Sequence, residues 1–369
     1  MPRSTPKQKS PIPKSSWDTD TELVGLTFNL QPHQVIVVPP HYTTELHSWF
    51  LDQVRRTNFE LSTRLHDGQS EKPFTISPIE GVVESQGHFL RFSSDRTYHW
   101  TITGLSRSVV DWLSQWLQSP PTDIHLRSGS LRIEAWEFAH PPTTYDGLLQ
   151  IPGSSPPTIT LSFLTPTSFR RKGNHLPLPL PTNVFQSYLR RWNHFSREEV
   201  DQDMFLDWID DYTVILRHQI RSTKTTAGKS GSVTGFTGSV QFGLSSQASQ
   251  DPELVELWLA LGQLAPYCGT GHKTTFGLGQ TRIGWVEESS IETSFLQNLL
   301  AQRIAELTEL FVSQRQRTGG KRAATIAATW ATILARREMG ESLQTIAQDL
   351  EMPYETVKTY AKLARQALK

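Results

Sequence analysis

Apolar and polar positions in the first part of the chain predict strands followed by helices. Apolar residues alternate loosely over residues 23–30 and recur over residues 35–38, up to the Pro39–Pro40 pair, which indicates a strand and its end. The next apolar residues recur at helical spacing, which predicts a helix: Leu46, Trp49, Phe50 and Val54.

The pattern continues to residue 138 in an order that is typical of one fold. We expect a short helix at 60–65, strands at 73–78, 87–92 and 97–102, a helix at 106–117, and further strand to about residue 138. Strand, helix, strands, helix, strand is the order of an α+β sandwich of the ferredoxin-like kind.

The same pattern then restarts, after residues 141–157, whose prolines and glycines suggest a linker. We expect a strand at 158–164, a helix at 184–195, strands at 212–220 and 232–242, a helix at 254–267 and a strand ending near Trp285. From Ser294 onward the pattern is helical. The apolar face of residues 294–311 is expected to dock on the preceding domains.

These patterns predict tandem ferredoxin-like domains followed by an all-α domain. Residues 1–21 are rich in Pro, Ser and Lys, so they are expected to form a disordered basic tail. The predicted domains are 22–150, 151–287 and 288–369.

Composition narrows the function classes only slightly. The chain has 36 basic and 36 acidic residues, so net charge does not indicate a partner. The lone Cys268 excludes an internal disulfide and fits a reducing cytoplasm. No long apolar run predicts a membrane span, and none of the 12 histidines has metal-ligand spacing, so no metal or other cofactor is expected.

A glycine-rich stretch at 269–279 is the sharpest local signal for ligand binding. Glycines let a backbone approach a ligand closely, and a lysine with free N–H groups can hold phosphate. The alternative is a tight turn that joins a helix to a strand. The candidate RNA-binding residues in this stretch are Gly269, Gly271, His272, Lys273, Thr274, Gly277 and Gly279.

Two further groups of basic residues are candidate phosphate contacts, although each could equally be a solvated loop. Arg170, Arg171 and Lys172 follow Phe169, and such a basic triplet beside an aromatic ring suits RNA. Arg221, Lys224 and Lys229 lie among hydroxyl residues in an expected loop. Gly228-Lys229-Ser230 lacks the earlier glycine of a P-loop, because Thr223 stands there, so nucleotide hydrolysis is excluded.

Four stretches in order resemble the RAMP superfamily, and within it the CRISPR-associated endoribonucleases that process precursor guide RNA. They are residues 65–77, 163–170, 235–240 and 269–279, and the resemblance spans about 22–285. It implies that the 2′-hydroxyl of the RNA attacks the adjacent phosphate without a metal. The implied products carry a 2′,3′-cyclic phosphate and a 5′-hydroxyl.

The resemblance also implies the catalytic residues. His66 stands at the position of the family's catalytic histidine, and Lys72 is the basic partner six positions later. An imidazole can move the proton, and a lysine can stabilise charge on phosphorus. The alternative base is His47, because some relatives carry their histidine on the first helix. Some members place a tyrosine where this chain has Leu51.

The last 30 residues resemble a helix-turn-helix of the sigma-factor region-four type. Two helices are expected at 341–350 and 354–367, joined at Met352-Pro353, with Glu351 where glycine is common. Nucleic-acid binding and protein contact remain equal alternatives for this unit.

The sequence thus predicts a cytoplasmic endoribonuclease that cleaves CRISPR repeat RNA and keeps hold of its product. Other CRISPR effector subunits are further candidate partners. The alternative is a non-cutting RAMP subunit that only binds guide RNA in an effector complex.

Overall fold

The computed structural model describes residues 17–66, 71–151, 153, 156–226, 232–287, 293–314 and 321–368. Residues 1–16 of the predicted tail lie outside this set. Residues 17–21 are ordered, because the ring of Trp17 packs edge-on against Phe138 with centroids 5.9 Å apart. Order therefore begins before the predicted boundary at residue 22.

The first domain is built on an antiparallel five-stranded sheet with the strand order β3-β6-β1-β8-β7. A small three-stranded sheet, β2-β5-β4, lies beside it. The elements in chain order are β1 (Leu23–Pro32), β2 (Ile36–Val38), α1 (Thr43–Thr57), α2 (Phe59–His66), β3 (Phe74–Ile76), β4 (Glu84–Gln86), β5 (Phe89–Phe92), β6 (Tyr98–Gly104), α3 (Arg107–Trp116), β7 (Asp123–Leu126) and β8 (Gly129–Thr143).

An aromatic cluster between the sheet and its helices holds this domain together. Phe28 on β1 lies opposite Trp100 on β6 in the strand register. Its ring packs edge-on against Trp116 of α3 at 5.6 Å, and Trp49 of α1 packs against both tryptophans. Each such fully buried side chain stabilises the fold by roughly 1.5–3 kcal/mol, so this cluster sets the position of α1 on the sheet.

The stretch at 141–157, predicted as a linker or domain boundary, contains regular structure in its first half. β8 extends through Thr143, and the next residues form α4 (Tyr145–Leu149). Tyr145 is buried, and its hydroxyl donates a hydrogen bond to the carbonyl of Leu105 at 2.8 Å. The prolines in this stretch argued against a strand in the sequence, because proline has no N–H to donate. They are tolerated here because this part of β8 pairs on one side only, with β1.

The second domain repeats the topology with a four-stranded sheet of order β12-β13-β9-β14. In both domains the strand before the second helix lies between the first and second strands of the motif, as in a ferredoxin-like fold. The elements are β9 (Thr158–Thr167), β10 (Phe169–Arg171), β11 (Asn174–Leu176), α5 (Pro181–Phe195), α6 (Gln202–Tyr212), β12 (Thr213–Thr226), β13 (Ser232–Leu244), α7 (Pro252–Cys268) and β14 (Thr281–Ile283).

Helix α6 was missed in the sequence, although its signals are present. Asp201 caps it by accepting a hydrogen bond from the amide of Met204 at 2.9 Å. Its buried residues, Phe205, Trp208 and Ile209, recur at helical spacing.

Four helices follow: α8 (Thr293–Gln314), α9 (Lys321–Glu338), α10 (Leu343–Asp349) and α11 (Tyr354–Ala367). The apolar residues of α8 pack on two sides. Ala301 lies in the apolar core of the first domain, whereas Ile304, Leu307 and Phe311 are buried against α9, around Trp330. The predicted docking on the preceding domains thus involves Ala301 and not these three residues. Polar contacts also join α8 to the sheets: Gln297 accepts from the amide of Ser85 at 3.2 Å, and Gln302 accepts from the Thr225 hydroxyl at 2.5 Å.

Among the described residues, no helix is both long and apolar enough to cross a bilayer.

Candidate active site

Three candidate catalytic residues come together beside α1. His47 lies on α1, His66 is the last residue of α2, and Lys72 lies just before β3. Burial, together with the positive charges of His66 and Lys72, lowers the pKa of His47 to about 4. The effect of one charge on another weakens with distance, so the three groups lie near one another beside α1.

The accessibility of the two histidines differs, which separates their chemical roles. His66 is exposed, whereas His47 is half-buried. His47 is therefore neutral at pH 7, and its conjugate acid would give up a proton far too readily to persist there. Leu51, one helical turn after His47, is buried in the core of the first domain.

An aromatic ring from the second domain covers His47. Phe276 stacks on the His47 imidazole with centroids 4.3 Å apart and an interplanar angle of 23°. Phe74 of β3 also stacks on the His47 ring, with centroids 5.9 Å apart. Phe276 belongs to the glycine-rich stretch, so that loop forms one wall of the candidate active site.

Phe276 was not selected in the sequence, although one signal was available. It is the single large apolar side chain among the small and polar residues of 270–277. Nothing in the sequence indicates that it faces α1 of the other domain.

Glycine is required in this loop because the backbone packs against itself and against β9. A Cβ on Gly279 would lie 2.0 Å from the carbonyl oxygen of Thr270, and one on Gly271 would lie 2.3 Å from that of Ser168. Both glycines also have positive φ, as does Lys273 at 62°. The loop can therefore hold only one compact shape.

Most of the backbone amides in the glycine-rich loop donate hydrogen bonds to acceptors within the protein. Gly269, Thr274, Gly277 and Gly279 are buried, which indicates that they shape the loop. Free amides were expected here, but seven of the eleven amides of residues 269–279 have protein acceptors. Among them are Thr270 to Gly279 at 2.7 Å, Gly271 to the Ser187 hydroxyl at 2.8 Å, His272 to Ser168 at 3.2 Å and Gly279 to Pro166 at 3.2 Å. The loop therefore has few backbone N–H groups left to hold a phosphate.

The basic candidates from two predicted groups form one cluster. Burial lowers the pKa of Lys273, and the charge of Arg170 lowers it further. Burial is the main cause that lowers the pKa of His272, and the charges of His175, Lys273 and Arg170 lower it further. The His272 ring stacks on His175 with centroids 5.1 Å apart. Arg170 and Lys273 therefore form a pair of basic side chains beside the glycine-rich loop, next to the stacked rings of His175 and His272.

Arg171 and Lys172 lie at the tip of a hairpin next to this cluster. Strands β10 and β11 pair from Phe169–Leu176 to Arg171–Asn174. The two turn residues, Lys172 and Gly173, both have positive φ, as the tightest hairpin turns require. Arg171 and Lys172 are exposed.

The third predicted basic group does not form a loop, which corrects that expectation. Arg221 and Lys224 lie on β12, paired with Thr237 and Thr234. They are three residues apart on a strand, so they point to opposite faces of the sheet. Lys229 lies outside the described residues.

An ion pair ties the segment that carries Lys72 to the second domain. The guanidinium of Arg190 on α5 donates from Nε to the Glu71 carboxylate at 3.0 Å. Nearby, the Thr103 hydroxyl donates to the carbonyl of Tyr267 at 2.6 Å. These contacts hold the two domains in register around the candidate site.

A polar cavity of about 200 Å³ lies between the two sheets. Its walls include hydroxyl side chains from both domains, among them Thr27, Thr101 and Thr281, together with His140 and Arg282. In the part of the chain that the structure describes, no cluster of three or more His, Cys, Asp or Glu side chains could hold a metal ion.

Two family models match the chain, one on each ferredoxin-like domain. The CRISPR Cas6 N-terminal domain matches residues 24–140, and the CRISPR-associated endoribonuclease Cas6 matches residues 161–281. The chain belongs to the Cas6 family.

The chain is also similar to individual Cas6 proteins, with low sequence identity and over only part of its length. The CRISPR-associated endoribonuclease Cas6 of Streptococcus thermophilus is 24% identical over 126 residues, which is 34% of this chain and 49% of that protein. The aligned part thus spans about half the length of this curated relative.

Solved Cas6 structures share the fold of the two domains. A Cas6 product complex has 25% identity and a TM-score of 0.56, covering 71% of this chain and 99% of that one. A second Cas6 product complex has 24% identity and a TM-score of 0.59, covering 72% and 100%. For Thermus thermophilus Cas6 the values are 22%, 0.51, 72% and 99%. The Cas6 family matches end at residue 281, before α8 begins.

The lowered pKa of His47 predicts a specific dependence of stability on pH. The unfolded imidazole has a pKa of 6.5 and the folded one of about 4, so the unfolded chain binds the proton more readily between these values. This contribution to stability is complete above pH 6.5 and is lost as the pH falls to 4. Between pH 6.5 and pH 4, we expect the free energy of unfolding of His47→Gln to fall by on the order of 1–3 kcal/mol less than that of the wild type.

The measurement is the free energy of unfolding by urea at several values from pH 7 to pH 4. His125→Gln, which removes an exposed imidazole from β7, is the matched control and should keep the wild-type pH profile. A His47→Gln profile parallel to wild type would contradict the buried, neutral imidazole.

Proposed function

We propose that this Cas6-family chain cleaves CRISPR precursor RNA within its repeats, without a metal ion, and retains the processed product. The observation that carries the proposal is the grouping of His47, His66 and Lys72 at one site, walled by the glycine-rich loop through Phe276. A proton-transfer group and a fixed positive charge are what internal transesterification of RNA needs.

In the proposed reaction the RNA supplies its own nucleophile. The 2′-oxygen attacks the adjacent phosphorus while its proton passes to a base, and the bond from phosphorus to the 5′-oxygen breaks. The leaving 5′-oxygen takes up a proton. The products are a 2′,3′-cyclic phosphate and a 5′-hydroxyl, so atoms and charge balance without a further reactant.

We assign the proton transfer to His66. It is exposed at the end of α2, so its imidazole can reach a bound RNA, whereas His47 is half-buried under Phe276. Lys72 lies close enough to act on the same site and would stabilise the negative charge that develops on the phosphate oxygens. His47 then serves as a neutral group that packs the floor of the site.

The basic pair of Arg170 and Lys273, beside the His272 ring, is the proposed binding site for the RNA backbone. Both it and the catalytic group border the same loop, so one strand could cross from one to the other. The 25%-identical structure, described as a Cas6 product complex, supports retention of product. A cytoplasmic location remains a prediction.

A non-cutting, guide-binding subunit is the second candidate function. The observation that favours it is Leu51, which is buried where some relatives carry a tyrosine. This position therefore offers no hydroxyl to the site. The loss of one such group leaves His66 and Lys72 in place, and for that reason we favour the enzyme.

His66→Ala should abolish most cleavage and preserve RNA affinity, because one acid–base group commonly contributes ~10²–10⁴-fold to the rate. Lys72→Ala should reduce the rate less, since it stabilises charge without moving the proton. The measurement is single-turnover cleavage of repeat RNA beside equilibrium binding.

His125→Ala again provides the control on an exposed histidine. If His66→Ala cut at the wild-type rate while His47→Ala did not, the base would be the α1 histidine. If the wild-type chain bound repeat RNA without cutting it, the binding subunit would be the better interpretation. If it cut the RNA and neither variant changed the rate, the base would be another residue.

Cleavage should continue unchanged in a chelator, because the 2′-hydroxyl is the nucleophile and the site's own side chains carry the charge. The experiment compares single-turnover rates with excess EDTA and with Mg²⁺. Activity that vanished in EDTA and returned with Mg²⁺ would overturn metal independence, while leaving the cleavage proposal standing.

Removing positive side chains beside the loop should flatten the salt dependence of RNA binding. Each lost phosphate contact lowers the slope of log affinity against log salt by roughly 0.7 for a single strand. We expect this for Lys273→Ala, and about twice this for Arg170→Ala combined with Arg171→Ala. Arg107→Ala, an exposed arginine of the first domain, is the control; equal slopes throughout would show that the cluster does not contact the backbone.

A further inference from the structure

Helices α9, α10 and α11 form a compact unit with its own core. Ile333 of α9, Ile346 of α10 and Val357 of α11 are fully buried against one another. Because the Cas6 matches end at residue 281, Cas6 membership gives this unit no role.

The turn between α10 and α11 is closely defined. Ser342 caps α10 by accepting from the amide of Thr345 at 3.0 Å. Glu351 adopts a left-handed conformation with φ of 52°, and the amide of Met352 donates back to Ala347 at 3.0 Å. This is the closing pattern that ends helices sharply. Glutamate replaces the usual glycine here without loss of the turn, so α11 has a fixed angle to α10.

One side of α11 is a line of exposed, mainly cationic side chains. Tyr354, Lys358, Lys362 and Arg365 are spaced by four, four and three residues, so they stack along one edge of the helix. All four are exposed. The only acidic residue of α11 is Glu355, which lies 3.5 Å from Lys358 in an exposed pair that contributes little.

Several acidic side chains elsewhere in the unit form ion pairs with arginines. Arg336 pairs with both Glu341 and Asp349, and Arg303 of α8 pairs with Glu306 and Glu338. These pairs join neighbouring helices. They place a cation beside each of these partly exposed acidic groups, while the cationic edge of α11 faces solvent.

We propose that this unit binds duplex DNA, with α11 entering the major groove. α11 has 14 residues and is therefore about 21 Å long. An α-helix is about 10–12 Å wide with its side chains, and the major groove of B-form DNA is about 12 Å wide. The major groove of A-form RNA is too narrow for a helix, so duplex RNA fits less well.

Within this arrangement the residues divide by chemistry. Lys358, Lys362 and Arg365 supply charge to phosphates, while Glu355 and Thr359, near the start of the helix, can meet base edges. A solvent-exposed second helix, held at a set angle by a first, is the geometry by which helix-turn-helix proteins read DNA. The proposed DNA contacts lie on α11, whereas His66, Lys72 and the glycine-rich loop belong to the two ferredoxin-like domains.

The test uses the full chain and short DNA duplexes of random sequence, at several salt concentrations. Lys358→Ala combined with Lys362→Ala should weaken DNA binding by at least about tenfold at low salt and reduce the salt slope by roughly 1.8. Repeat-RNA cleavage by the same variant should stay at the wild-type rate. Glu355→Gln should strengthen binding to these random-sequence duplexes, because it removes a negative charge from the helix that approaches the polyanionic DNA.

Arg107→Ala combined with Arg132→Ala removes the same charge from the first domain and should leave DNA binding unchanged. Both arginines lie in exposed ion pairs, and folding of each variant is checked by thermal unfolding. The proposal is overturned if the wild-type chain does not bind DNA, if both double variants bind alike, or if duplex RNA competes as well as DNA. A protein partner for α11 would then be indicated.

Discussion

The stacking of Phe276 on His47 is the contact on which the site depends. It brings a loop of the second domain onto the first helix of the first domain, and so makes the candidate active site a product of both domains. Ring contacts of this kind contribute about 0.5–1.5 kcal/mol beyond burial. That is small beside either core, but the contact has consequences for chemistry because it also removes water from one face of the imidazole.

The glycine-rich loop can make this contact because its backbone has almost no freedom. Its amides are bonded to one another and to β9, and its glycines lie where a Cβ would overlap a carbonyl oxygen. The loop is thus held in a conformation that places Phe276 against α1 and Lys273 near Arg170. Rigidity of this sort matters in a site that handles phosphate by positioning charges, since any reorganisation would be subtracted from the stabilisation they provide.

The helical extension is joined to this body in a different way. Most of its apolar residues pack among α8, α9 and α11. Its contacts with the sheets run through Ala301, which lies in the core of the first domain, and through Gln297 and Gln302. The extension thus keeps a core of its own beside a joint that is partly apolar and partly polar. The two units can therefore bind different nucleic acids, each through its own surface.

The sequence by itself determined the order of most elements, though not α6, together with the two ferredoxin-like repeats and the terminal helix-turn-helix, because these follow from local periodicity and turn residues. It also predicted His66, Lys72, His47 and the loop at 269–279, which carry recognisable motifs. It could not give Phe276 its role, the low pKa of His47 or the partner of α8. Those depend on which surfaces meet across domains, and apolar residues such as Leu307 read alike whether they face a sheet or another helix. Only tertiary structure decided that Phe276 covers His47, since burial is a property of the assembled fold and not of the local pattern.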